Sequence, residues 1–173
     1  MLTVCFHGAE STGKSVMADR LHQRFGWPCV PEYGREYCER HGTDLSIADL
    51  LAIAEGHIAA TAEALRAGPD ILLLDTDPLM TAAWAQMLFG EVPERLLLYP
   101  KADLYLLFEA DVPWIADGTR FFGEKGDRAR FAALAQHMLT RTGVAWRRVA
   151  GPWNEREAQI IAAIAEACSV SLR

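Results

Sequence analysis

Leu2-Thr3-Val4-Cys5-Phe6-His7 runs directly into Gly8-Ala9-Glu10-Ser11-Thr12-Gly13-Lys14-Ser15, and a helical pattern follows from Val16 to Phe25. This is the GxxxxGK[ST] pattern in the strand–loop–helix setting that gives it meaning. Gly8 and Gly13 permit backbone angles and a close approach that a Cβ would block. The N–H groups of Ala9, Glu10, Ser11, Thr12, Gly13, Lys14, Ser15 and Val16 can then turn toward phosphate oxygens, aided by the positive end of the helix. Lys14 is expected to bridge the β- and γ-phosphates of ATP, and the Ser15 hydroxyl to ligate Mg²⁺.

Outward from this loop, short apolar runs alternate with long helical patterns. Leu2–His7, Cys29–Pro31, Ile71–Asp75, Asp103–Glu109 and Val144–Val149 are the five strand candidates. Their near-continuous apolar character suits strands buried on both faces of a parallel sheet. Between them, Ile47, Leu51, Ala54, Ile58, Ala62 and Leu65 recur at helical spacing over Ser46–Arg66, which Gly68-Pro69 stops. Asp127 is the expected cap of a helix from Arg128, and Asn154 with Glu157 the expected start of another. The alternation predicts one doubly wound α/β domain over 1–173, with Pro28 and Pro31 weakening the second strand.

Composition narrows the function. The 173 residues suit one ordinary domain, and 51% hydrophobic against 23% charged residues is a globular balance. With 17 basic and 23 acidic residues the net charge is −6, so the chain as a whole supplies no nucleic-acid footprint. No apolar run approaches the ~20 residues needed to span a bilayer. The start has no basic n-region, and Cys5, Cys29, Cys38 and Cys168 show no zinc spacing, so a reducing cytoplasm is expected.

Three more constellations carry candidate chemistry. Asp75, after four apolar residues, is the expected partner of the loop in the Mg²⁺ shell. Asp77 is free to face the metal or an acceptor substrate, or to cap the helix that begins at Pro78. Asp111–Arg130 reads as a lid: Gly118, Gly123 and Gly126 loosen it, and Arg120, Lys125, Arg128 and Arg130 can converge on a transferring phosphate, though a solvated basic loop would look the same. On the acceptor side, Pro31-Glu32-Tyr33-Gly34-Arg35-Glu36-Tyr37 offers Glu32 for the proton of an attacking hydroxyl and Arg35 for ribose or phosphate oxygens; a plain Glu32–Arg35 ion pair is the competing reading. No lysine lies between Gly26 and Pro100, whereas Glu32, Glu36, Asp44, Glu55, Asp75 and Asp77 do, with Tyr33, Tyr37, Trp84 and Tyr99 among them. An acidic aromatic pocket of this kind suits a cationic aromatic acceptor.

A GTPase should carry Asn-Lys-x-Asp, and no asparagine precedes Lys14, Lys101 or Lys125. An oligomeric AAA-type motor would show Asp-Glu after its second strand signal and a helical domain beyond the sheet; here the pair is Asp75-Thr76 and the sequence ends soon after the fifth strand candidate. A small-molecule kinase fits better. A kinase of another nucleoside, nucleotide or hydroxy acid, and a P-loop ATPase switching a protein partner, stay open.

Together GAESTGKS (Gly8–Ser15), EYGREY (Glu32–Tyr37), LLDTD (Leu73–Asp77), Tyr99-Pro100, VPWIADGTR (Val112–Arg120) and Gly126-Asp127-Arg128 resemble the ribosylnicotinamide kinase domain of bifunctional NAD-biosynthesis regulators and its stand-alone AAA-like relatives. The resemblance implies a five-stranded parallel sheet of nucleoside-kinase type and ATP-dependent phosphorylation of the ribose 5′-hydroxyl of nicotinamide riboside. It implies Lys14, Glu32, Asp77, Arg120 and Arg128 at the chemistry, and Glu32, Tyr33, Arg35, Asp77, Trp84 and Tyr99 around the acceptor, a small molecule rather than a nucleic acid or membrane. In that family a Trp commonly precedes Glu-Tyr-Gly-Arg and stacks on the nicotinamide ring. Here Pro31 holds that place, while Tyr99 matches the ring's other face, so Trp84 or Tyr33 replaces the missing wall or the acceptor differs.

Overall fold

The computed structural model describes residues 1–115 and 122–171. Five parallel strands, β1 (Leu2–His7), β2 (Cys29–Val30), β3 (Ile71–Asp75), β4 (Leu104–Phe108) and β5 (Trp146–Val149), lie in the order β2-β3-β1-β4-β5. β1 is central, pairing with β3 from Leu2 opposite Ile71 and with β4 from Val4 opposite Leu104. The chain runs from β1 to β2 and β3 on one side and then crosses to β4 and β5 on the other, so the crevice outside the carboxyl end of β1 is where an open α/β sheet binds ligands.

Seven helices cover the sheet among the described residues: α1 (Lys14–Phe25), α2 (Tyr33–His41), α3 (Ile47–Arg66), α4 (Pro78–Phe89), α5 (Glu94–Leu98), α6 (Lys125–Thr142) and α7 (Trp153–Ser171). Strand alternation sorts them. Leu2, Val4 and Phe6 of β1 and Leu104, Leu106 and Phe108 of β4 pack with Met17 and Leu21 of α1 and Ile160 and Ile164 of α7. Cys5, Leu72, Leu74 and Tyr105 point to the other face, against Leu50 and Ile53 of α3, Leu79 of α4 and Phe131 and Met138 of α6. Burying each such side chain contributes about 1.5–3 kcal/mol, so both layers are needed to hold the sheet.

The differences from the sequence expectations have local causes. β2 is only two residues long because prolines flank it, although the Pro28 carbonyl still accepts from the Leu73 N–H at 2.9 Å. In β5, Arg147 and Arg148 are exposed, and such charges at a sheet edge discourage pairing with another chain. α3 buries Leu50, Ile53, Ala54 and His57, a face rotated from the Leu51–Ile58 stripe, because apolar residues occupy more than one side of this helix. The Arg128 N–H bonds the Glu124 carbonyl at 2.9 Å, so α6 begins upstream of Asp127, whose charge instead sits in its first turn. α7 likewise starts at Trp153, before Asn154, and Glu157 pairs with Arg20 and Arg24 at 2.8 and 2.5 Å rather than capping it. Tyr33–Tyr37 of EYGREY open α2, a helix the apolar pattern does not announce because none of its residues is buried. No helix among the described residues is long and apolar enough to cross a membrane.

Candidate functional site

Gly8–Ser15 wraps over the carboxyl end of β1 into α1. Gly8 has φ +128° and Gly13 φ +86°. A Cβ on Gly8 would fall 2.6 Å from the Phe108 carbonyl oxygen, and one on Gly13 would collide with the Trp153 ring. Both positions therefore demand glycine for space as well as for angle. Ser11 is held at φ +55°, and the Thr12 hydroxyl donates to the Ala9 carbonyl at 2.9 Å. The Lys14 ammonium lies inside the loop, donating to the Gly8 and Ala9 carbonyls at 3.0 and 2.9 Å.

One cavity joins this loop to the end of β2 and the faces of α3 and α4. Gly8, Glu10, Ser11, Thr12, Gly13, Lys14, Ser15 and Val16 form its loop side, while Ala9 is fully buried beneath it. Glu32, Gly34 and Arg35 come from the Glu-Tyr-Gly-Arg segment and Cys38 from the next turn of α2; Leu45, Leu50, Ile53 and His57, then Thr76, Met80, Thr81, Trp84 and Phe131, complete the wall. Trp84 packs against Phe131 with ring centroids 5.1 Å apart, so the far wall is aromatic. Burial holds the His57 imidazole neutral, its pKa pushed down to about 4.

Glu32 precedes the first turn of α2, and its carboxylate lies 3.6 Å from the Arg35 guanidinium. The cavity brings that pair to the phosphate loop, so it is placed to do more than brace a helix. Desolvation raises the Glu32 carboxyl above the ordinary range, the nearby Asp75 charge adds to this, and Lys14 and Arg35 oppose it. Asp75 is buried at the end of β3 and accepts from the Ser15 hydroxyl at 2.5 Å. Desolvation raises its carboxyl too, and its second oxygen is buried with no hydrogen-bond partner. A hydroxyl, an orphaned carboxylate oxygen and two acids that disfavour each other's charge form an oxygen donor set suited to a hard divalent cation.

Other expected residues sit elsewhere. Asp77 does not line the cavity: it is buried, one oxygen accepts the Leu79 N–H at 2.9 Å, and the other accepts the Tyr105 hydroxyl. It caps α4, one of the readings its place before Pro78 offers, and its side chain lies outside the cavity. The Tyr33 ring packs on Gly56 of α3, and Tyr99 lies under Arg95 at 5.9 Å. Neither reaches the cavity, so of the four expected aromatics only Trp84 is a wall. The Tyr37 hydroxyl donates to Asp49 at 2.6 Å, Glu36 and Glu55 pair with Arg40 and Arg95, and Asp44 is exposed. The acidic pocket thus shrinks to Glu32 and Glu10, with Asp75 beneath. The Arg128 guanidinium is tied to main-chain carbonyls of Val112 and Ser11, at 2.9 and 3.1 Å, and does not open on the cavity. Arg120, with residues 116–121 of the expected lid, lies outside the described residues.

Asp77 gives a test of its assignment as a cap. Burial pushes its carboxyl up to about 6. The folded protein therefore binds this proton more tightly than the unfolded chain, so the Asp77 contribution to stability falls as pH rises from the ordinary carboxylate range through about 6. Asp77→Asn cannot lose a proton, and its Tm relative to wild type should climb between about pH 4 and pH 7. A flat difference across that range would place Asp77 in solvent.

A five-stranded parallel sheet of this order, with a phosphate loop after β1 and an acid at the end of the neighbouring strand, defines a P-loop protein of nucleoside-kinase fold. The chain belongs to the AAA domain family, whose profile matches residues 3–156. It is 34% identical over 154 residues to the trifunctional NAD biosynthesis/regulator protein NadR of Escherichia coli (strain K12), a match covering 85% of this chain and 38% of that protein. The same protein of Salmonella typhimurium is 34% identical over 149 residues, covering 82% of this chain and 36% of the relative. The chain thus spans well under half the length of these curated relatives. The crystal structure of NadR protein in complex with NR superposes with a TM-score of 0.76 at 22% identity, over 96% of this chain and 50% of that one. NadR protein in complex with NAD and AMP-PNP gives 0.78 at 22% identity over 96% and 49%. Deoxyadenosine kinase from M. mycoides gives 0.69 at 10% identity over 95% and 100%, a likeness of fold.

Of the cavity's residues, the motifs pointed to the loop, Glu32, Arg35 and Trp84. His57 and Phe131 were missed because each lies on a helix whose spacing reads as core; the available signal was a lone histidine on an apolar stripe.

Proposed function

We propose that this protein is an ATP-dependent small-molecule kinase that phosphorylates the ribose 5′-hydroxyl of nicotinamide riboside, giving nicotinamide mononucleotide, in a reducing cytoplasm. The observation that carries the reading is the single cavity in which the Lys14 loop meets Glu32, Arg35 and the Trp84–Phe131 wall. The 34% identity to NadR over most of this chain supports the choice of acceptor. The aromatic wall would take the pyridinium ring, whose positive charge gains from an aromatic face and from the Glu32 carboxylate. Arg35 would hold ribose or phosphate oxygens.

In the reaction the 5′-oxygen attacks the γ-phosphorus of ATP, the bond from phosphorus to the bridging oxygen of the β-phosphate breaks, and ADP leaves with that electron pair. Glu32, with its raised pKa, receives the hydroxyl proton. Loop N–H groups and Lys14 neutralise the phosphate charge, which is most of what such a transfer demands. Ser15 and Asp75 are the residues that would hold Mg²⁺, an ion that draws charge off the phosphate oxygens. Of the lid expected over 111–130, residues 125–130 form the first turns of α6 and Asp111 is paired with Arg156.

A panel of ribosides with Mg·ATP, scored for acceptor-dependent ADP release, tests the proposal. Nicotinamide riboside should be preferred over uridine and cytidine, which lack the positive ring. Faster turnover with the neutral pyrimidines would remove the nicotinamide assignment and make Pro31 the reason. Hydrolysis unaffected by any acceptor would replace the kinase with an ATPase switch.

A further inference from the structure

Two arginines grip the phosphate loop from outside. Arg156, in the first turns of α7, is fully buried, a costly place for a guanidinium unless its donors are matched. They are: Nε donates to the Gly151 carbonyl at 2.7 Å, Nη1 to the Thr12 carbonyl at 3.2 Å, and Nη2 to the Glu109 carbonyl at 3.2 Å. The ion pair with Asp111 completes the set, and the other Asp111 oxygen accepts the Gly151 N–H at 2.7 Å. Arg128, in the first turn of α6, takes the preceding loop carbonyl, that of Ser11, at 3.1 Å and anchors itself on the Val112 carbonyl at 2.9 Å. Successive peptides of the loop are thus held by separate helices that reach it from different parts of the sequence.

The direction of these bonds has a consequence. In a planar trans peptide the carbonyl and the following N–H point opposite ways, and the described residues contain no cis peptide. Holding the Ser11 and Thr12 carbonyls toward α6 and α7 turns the N–H groups of Thr12 and Gly13 away from those helices. Ser11, Thr12 and Gly13 line the cavity, while neither arginine does. Ser11 at φ +55° and Gly13 at φ +86° have the left-handed backbone with which consecutive N–H groups converge into an anion-binding concavity. A serine at positive φ is uncommon, and the bond from Arg128 to its carbonyl is one that helps hold it there.

We propose that Arg128 and Arg156 are positioning residues that preset this anion nest, by restraining the Ser11 and Thr12 carbonyls, without touching the phosphates. The proposal rests on the nucleotide-binding reading above and replaces the expected contact of Arg128 with the transferring group. The nest serves phosphates common to ADP and ATP, whereas a direct contact with the transferred group would serve ATP alone. That difference is measurable.

Wild type, Arg128→Ala, Arg156→Met and Arg156→Lys would be titrated calorimetrically with Mg·ADP and with Mg·ATP, in the absence of acceptor, alongside thermal melts. Losing a hydrogen bond from a charged donor that orders the loop should weaken both nucleotides by the same factor, roughly tenfold or more. Arg156→Lys should recover only part of the loss, because one ammonium cannot serve the acceptors spread around a guanidinium. A loss confined to ATP, or unchanged ADP affinity in a folded variant, overturns the proposal. Should the Arg156 variants not fold, Arg128→Ala, whose side chain is only partly buried, decides it by the same readout. Failure of the wild type to bind either nucleotide would instead overturn the function reading.

Discussion

Lys14→Ala is expected to abolish acceptor-dependent turnover while leaving the protein folded. Among the described residues the Lys14 ammonium donates to the Gly8 and Ala9 carbonyls of its own loop, and Lys14 belongs to neither apolar core layer. A nucleotide entering the loop exchanges those carbonyls for phosphate oxygens, and the positive charge is then placed where negative charge accumulates. Removing an electrostatic clamp of this kind costs about 3 kcal/mol or more of transition-state stabilisation, a loss of two orders of magnitude or more in rate. The measurement is steady-state turnover beside a melting curve. A well-folded Lys14→Ala protein with near-normal activity would end the phosphotransfer reading, whatever the acceptor.

The second large effect is expected at Glu32. Glu32→Gln keeps the shape of the side chain and a hydrogen-bonding oxygen but cannot take up a proton at working pH. If Glu32 receives the proton of the attacking hydroxyl, kcat should fall by about 10²- to 10⁴-fold with Mg·ATP affinity retained. Asp77→Asn is the matched comparison, since the sequence offers both acids for the acceptor side. Asp77 is occupied by the Leu79 N–H and the Tyr105 hydroxyl, so its replacement should disturb the start of α4 and the stability of the fold more than the chemistry. A nearly normal Glu32→Gln enzyme beside a folded, inactive Asp77→Asn one would exchange the two roles.

Asp75 and Asp77 show how far residue pattern reaches. Both follow the same apolar run, two residues apart, and pattern makes each a candidate for metal or substrate. The end of β3 directs Asp75 to the Ser15 hydroxyl, whereas Asp77 turns into the layer beneath, to Tyr105 of β4. Choosing between them needs the path of the chain after β3, where Thr76 adopts φ +77°. The aromatic residues divide for the same reason: Tyr33, Tyr37 and Tyr99 are near the motifs in sequence, yet α2 turns the first two toward α3 and the end of α5 leaves Tyr99 under Arg95. Phe131, more than thirty residues beyond Trp84, comes back to form the wall beside it.

The sequence by itself determined the phosphate loop, the alternation of strands and helices, and the parallel sheet, because each rests on contiguous residues: two glycines whose freedom is local, a lysine and a serine at fixed offsets, and runs apolar enough to be buried on both faces. Tertiary structure alone decided the strand order, which acid stands beside Ser15, and the cavity wall drawn from α2, α3, α4 and α6. It also decided the grip of Arg128 and Arg156 on the loop. The Ser15–Asp75 and Thr12–Arg156 contacts join residues 60 and 144 positions apart, and all of these contacts depend on how the layers pack rather than on any preference the individual residues carry.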